Sequence, residues 1–125
     1  MRTERFARTF LLLAVLPSLA MADGDGSPGW EDVSTIFNER CVMCHSAVAG
    51  ASKGLRLDDY AAALAGGERG VVLIPGDVDG SELIRRLRGQ SAPRMPFLSR
   101  ALVPEQIGLI ERWVAAGLPQ VGETQ

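Results

Sequence analysis

Histidine occurs once in the 125 residues, at His45, and cysteine twice, at Cys41 and Cys44. A zinc site needs four protein ligands, or three and a water. Here it would have to recruit carboxylates, and no Asp or Glu stands at a recognisable ligand spacing. A metal held by two histidines of one chain is excluded outright. Aromatic residues are scarce at 6%, comprising Trp30, Trp113, Tyr60 and four Phe. That is thin for a core enclosing something large, and a cofactor would supply the missing apolar bulk. No apolar run reaches the roughly 20 residues of a spanning helix: residues 10–22 fall short, and nothing downstream comes closer. There is no basic excess either, since the formal net charge is −2, which argues against nucleic acid as a partner. Repeats, heptads and long low-complexity tracts are also missing.

What is there begins with an export signal. Arg2, Arg5 and Arg8 precede the apolar run from Phe10 to Leu16, Pro17 breaks it, and Ala20-Met21-Ala22 offers a small-x-small cleavage site. Residues 1–22 are therefore expected to be a signal peptide and the protein periplasmic or otherwise exported. Contact with a membrane is expected only if the segment stays uncut as an interfacial anchor. Cleavage would remove three Arg and one Glu and take the formal charge to −4. In an oxidising compartment thiols rarely stay free, so Cys41 and Cys44 should be covalently engaged. The remaining length, with 46% hydrophobic and 22% charged residues, suits one core. Residues 23–29 read as a flexible leader, 30–118 as a single domain and 119–125 as a flexible tail.

Helical spacing dominates that domain. Ser27-Pro28 suits a helix start, Glu31 and Asp32 suit its positive end, and Val33, Ile36, Phe37, Arg40, Cys41 and Cys44 continue the period. The pattern places the Cys pair at the end of a first amphipathic helix. Asp58 opens a short helix over Tyr60 to Leu64, closed by Gly66-Gly67, and Val71 to Ile74 reads as extended chain. Asp79-x-x-Glu82 has capping-box spacing ahead of Leu83, Ile84 and Leu87. Gln90 to Val103 lacks a period, and an irregular stretch of that length in a small domain usually has a functional reason. Pro104, Glu105, Ile107, Ile110, Trp113 and Val114 mark a last amphipathic helix, ended by Gly117 and Pro119. The expected class is all-α.

The chemistry lies in Cys41-Val42-Met43-Cys44-His45. Two cysteines three apart on one face could present both sulfurs to the two vinyl groups along one edge of a porphyrin, and the adjoining histidine could ligate its iron. This spacing is the attachment pattern of haem c, so one covalent haem is the expected cofactor, with His45 an iron ligand. The principal rival is a Cys-x-x-Cys disulfide oxidoreductase. A thioredoxin-like version needs the pair at a helix start after a strand, whereas here it follows a helical pattern with no βαβ unit. With one histidine in the chain, a sixth ligand must be another side chain or none. Beyond the signal only Met43 and Met95 remain as thioethers, and Met43 sits inside the attachment motif. Met95 stands in the irregular stretch, where Pro93 and Pro96 bias the backbone to an extended course; the bland alternative is a core gap-filler. With both axial positions taken, iron has no place for substrate. An electron carrier rather than an enzyme is then expected, while a loose Met95 would give a small-ligand binding or sensing protein.

These features resemble the class I c-type cytochromes, with Cys-x-x-Cys-His after a first helix, a late Met and a closing helix. The runs Gly54-Leu55-Arg56-Leu57-Asp58, Gly66-Gly67, Pro75-Gly76, Ser81-Glu82-Leu83 and Arg94-Met95-Pro96 are similar to the planctomycete-type cytochrome c domain. The resemblance implies a small helical fold around one covalently attached haem, its first and last helices crossing, with Phe37 and Trp113 meeting there and Gly108 permitting close approach. It departs from the family pattern at Phe97, where a second Pro is usual, and at Val103, where Ser or Thr is usual. Arg85, Arg86, Arg88, Arg94 and Arg100 fall between Glu82 and Glu105 with no acid among them. They suggest a basic face on which acidic redox partner proteins dock near the haem edge. Arg56 or Arg94 could instead pair with the haem propionates.

Overall fold

The computed structural model describes residues 26–123. The signal-peptide reading of residues 1–22 and the first part of the leader lie outside the described residues. Among the described residues four helices make up the regular structure: α1 Trp30–Arg40, α2 Tyr60–Ala65, α3 Glu82–Leu87 and α4 Pro104–Ala115. A single 3-10 turn among the described residues, at Ser52–Gly54, lies between α1 and α2. Among the described residues there is no strand, only the isolated bridges of Gly67 with Gly70 and Ile74 with Asp77. The expected all-α class holds.

Residue spacing explains which faces are buried. Val33, Ile36 and Phe37 of α1, at i, i+3 and i+4, share one stripe, as do Ile110, Trp113 and Val114 of α4. The two helices pack against each other, and α3 adds Leu83, Ile84 and Leu87 against α4. Leu57, Ala63, Leu73, Leu102 and Leu118, all from loops or the short α2, complete one continuous core. Fully burying each such side chain contributes about 1.5–3 kcal/mol, and much of that comes from the chain between helices. Trp113 is fully buried and meets Phe37 edge-on, with centroids 6.2 Å apart and planes at 68°. Trp30 joins both rings and Tyr60 in the same aromatic cluster.

The helix ends differ in detail from the sequence expectation, each for a local reason. Gly29, not Ser27, caps α1, because the Asp32 carboxylate turns back to accept the Gly29 N–H at 2.8 Å. Asp59, not Asp58, caps α2 by accepting from the Ala62 N–H at 2.8 Å, while Asp58 is held by Arg56 at 3.0 Å. Ser81 precedes α3; Asp79 is drawn away to Arg88 at 2.6 Å and forms no capping box. At α4 the unusual Val103 offers no side-chain cap, but Gln106 Oε1 accepts the Val103 N–H at 3.3 Å and Pro104 needs no partner for a missing N–H. Gly66 must be glycine: its φ is +82°, and a Cβ there would collide with the backbone of Gly70 and Val71. Gly108 is not where helices approach closely, since a Cβ on it would meet only the tip of Arg112, at 3.5 Å.

The segments read as flexible leader and tail are, in their described parts, tied to each other and to the core. Trp30 N–H donates to the Gln120 carbonyl at 3.1 Å and Glu123 N–H to the Ser27 carbonyl at 3.0 Å. Trp113 Nε1–H donates to the Pro119 carbonyl at 2.9 Å and Tyr60 O–H to the Leu118 carbonyl at 2.7 Å. Two aromatic side chains thus fold the chain back after α4, with Leu118 buried beneath the turn.

Candidate functional site

Helix α1 stops one residue before the cysteine motif. The N–H groups of Cys41 and Val42 both donate to the Phe37 carbonyl, at 2.8 and 3.1 Å, which closes the last turn. Cys41 is its C-cap, with φ −128° and ψ −36°. The motif then makes its own turn: the N–H groups of Cys44 and His45 both donate to the Cys41 carbonyl, at 3.1 and 3.0 Å. The expectation that the Cys pair ends the helix is corrected to a turn appended to it. The cause is that Phe37 accepts twice and breaks the regular ladder.

Residues 46–57 wrap back over this turn. Ser52 N–H donates to the Cys44 carbonyl and Leu57 N–H to the His45 carbonyl, both at 2.8 Å. Ala51 and Lys53 accommodate the reversal with positive φ of 45° and 56°. The wrap brings the Leu55 carbonyl to 3.2 Å from His45 Nδ1. A carbonyl only accepts, so Nδ1 carries the proton and Nε2 of the neutral ring keeps its lone pair. A ligating imidazole is typically oriented by just such a second hydrogen bond, which also raises its basicity.

Cys41 and Cys44 form no disulfide with each other; Cys41 is half-buried and Cys44 exposed. Burial pushes the Cys41 thiol up to about 11; Arg40 opposes the shift and Cys44 adds to it. Disulfide exchange needs an attacking thiol lowered toward neutrality, and Cys41 is not such a thiol.

Met95 is half-buried and packs on the same core cluster as Cys41. Its N–H donates to the Arg86 carbonyl at 3.1 Å, which joins the irregular stretch to α3. Phe97 and Leu98, next along the chain, are exposed. Two surface grooves flank α1 and α4, and Cys41, Cys44, His45 and Met95 border neither.

The arginines are less available than their run suggests. Arg88 bridges Asp79 and Glu111 at 2.6 and 2.7 Å, Arg86 pairs with Glu82 at 2.7 Å, and Arg56 with Asp58. Arg40 donates to the Arg100 carbonyl. Among the described residues only Arg94 and Arg100 of the run form no ion pair, and Arg85 has a long one at 3.9 Å. Two participants escaped sequence reasoning. The Leu55 carbonyl is a backbone group with no sequence signature. Ser91, whose hydroxyl donates to Glu82 at 2.6 Å, stands nine residues from its partner.

Two thiols and an imidazole with a free Nε2, on one turn in a helical domain, are a donor set that fits a covalent haem, as in c-type cytochrome domains. Residues 41–96, from the first cysteine to the proline after Met95, match the family model of Planctomycete cytochrome C, and over this segment the chain is similar to that family. Neither a curated protein nor a solved structure matches the chain.

Proposed function

We propose that the protein is an exported monohaem electron carrier with a class I cytochrome fold, its haem tethered by thioethers to Cys41 and Cys44 and ligated by His45 and Met95. The observation that carries this reading is the His45 Nδ1 hydrogen bond to the Leu55 carbonyl inside a Cys-x-x-Cys-His turn. It fixes both the tautomer and the direction in which the imidazole offers its lone pair.

When bound, the haem supplies a one-electron couple between Fe(III) and Fe(II). The chain's own groups hold and tune it. Leu55 enriches the imidazole through its hydrogen bond, which favours the oxidised iron. The Met95 thioether, a soft ligand, favours the reduced iron and raises the potential. With both positions filled there is no site for a substrate, so the activity is transfer and not catalysis. An acidic redox partner would meet the cations of the arginine run that are not already paired, Arg94 and Arg100.

Mass spectrometry and absorption test the reading together. The purified chain should begin after Ala22 and carry a haem-sized addition that survives denaturation. The oxidised holoprotein should show the Met-to-iron charge-transfer band, lost in Met95→Ala. A chain without the addition would sink the cytochrome assignment. Ready uptake of carbon monoxide by the reduced protein, with no such band, would sink the carrier reading.

A further inference from the structure

We propose that Glu82 is a positioning residue for the sixth iron ligand, latching the loop 90–96 onto α3 through Ser91. The proposal rests on Met95 ligating the iron. An i, i+4 ion pair along one helix, such as Glu82 with Arg86, ordinarily adds only a few tenths of a kcal/mol to helix stability. This one has a third member from outside the helix. Glu82 Oε1 accepts from Arg86 Nε at 2.7 Å and from Ser91 Oγ at 2.6 Å. Arg86 also donates through Nη1 to the Pro93 carbonyl at 3.4 Å.

The backbone continues the same connection. Gln90 and Ser91 N–H groups donate to the Arg85 carbonyl at 2.8 and 3.3 Å, and Met95 N–H to the Arg86 carbonyl at 3.1 Å. One carboxylate therefore joins the helix to the loop four residues before Met95, and the guanidinium it orients reaches the loop at Pro93, next to the separate backbone tie of Met95 to the Arg86 carbonyl. The side chains are only partly exposed, Glu82 by 36% and Arg86 by 22%. Gly89 allows the loop to leave α3 with a φ of +73°, its Cα lying under the Arg94 guanidinium, where a Cβ would clash. The stretch lacks regular structure, so these polar ties replace a helix or strand in setting where the thioether stands.

The test is imidazole binding by the oxidised holoprotein, in which imidazole competes with Met95 for iron. Losing a charge-assisted hydrogen bond that holds only the Met-on state should raise the Met-off population, and with it apparent imidazole affinity, about tenfold. Glu82→Ala and Ser91→Ala should both show this, with a weaker Met-to-iron band. Ser91→Ala leaves the Glu82–Arg86 pair intact and so serves if Glu82→Ala fails to fold. Ser91→Thr keeps the hydroxyl and should bind imidazole like the parent. Parent-like affinity in Ser91→Ala, together with much tighter binding in Met95→Ala, would overturn the latch and leave the ligation reading standing. An unchanged affinity in Met95→Ala would overturn both.

Discussion

Replacing Ser81 with alanine should destabilise the domain far more than the loss of one hydroxyl suggests. Ser81 is fully buried. Its Oγ accepts the Ile74 N–H at 2.9 Å and donates to the Asp77 carbonyl at 2.7 Å, pinning the turn over 74–77 to the start of α3. Alanine fits the space but strands both partners. Leaving a buried donor or acceptor unpaired costs about 1–3 kcal/mol each. Ile74 and Asp77 are both exposed residues, so water can satisfy part of what is lost, and the cost is that of about one such group. A loss of about 2 kcal/mol would lower Tm by about 8–16 °C for a domain near 100 residues. Thermal unfolding of the holoprotein, followed by far-UV circular dichroism, measures it. Ser34→Ala is the control: its hydroxyl only donates to the Glu31 carbonyl at 3.0 Å on the exposed face of α1, and a change within about 0.5 kcal/mol is expected. If Ser81→Ala melts within about 2 °C of the parent, a loss well below that scale, the turn is not held by this side chain.

Trp113→Phe removes the indole N–H from the Pro119 carbonyl and shrinks a fully buried ring; about 2–3 kcal/mol should be lost, read as a lower urea midpoint at unchanged slope. Stability should also fall on acidification through Glu82. The Ser91 hydroxyl, then Arg86, hold its carboxyl below the usual carboxylate range. A depressed folded value means the stabilisation is complete above the unfolded pKa near ~4.3 and disappears as pH falls through the folded value. The Tm difference between the parent and Glu82→Gln should therefore be present at pH 7 and close below about pH 4; a gap independent of pH would refute the assignment.

The long helices were legible because their patterns are local and redundant. Val33, Ile36 and Phe37 repeat a stripe, and Pro104 with Ile107, Ile110 and Trp113 both starts and faces α4. The Cys-x-x-Cys-His motif was legible as residue types in order. Its geometry was not, because the break before it depends on one carbonyl, that of Phe37, accepting twice. The caps at Asp58 and Asp79 were misplaced for a related reason. Each carboxylate has a helix start within reach, yet an arginine captures it, Arg56 from two residues away and Arg88 from nine. Pairing within α3 to Glu82, and from Arg88 to Asp79 and Glu111, likewise reduced the basic run to Arg94 and Arg100. Neither the Leu55 carbonyl beside His45 nor the link from Ser91 to Glu82 could be read from periodicity, since both depend on where loops return.

The pairing of residues 27–30 with 120–123 gives the domain a practical topology. Polypeptide entering at Ser27 and leaving at Glu123 passes through one spot on the surface, with the two backbones a hydrogen bond apart, about 5 Å. Such a unit can be spliced into a loop of a host protein without prising the host's ends apart. The fold is in this sense a cassette: the domain could be grafted into a larger protein by insertion as readily as by end-to-end fusion, with its Cys-x-x-Cys-His turn undisturbed by the splice.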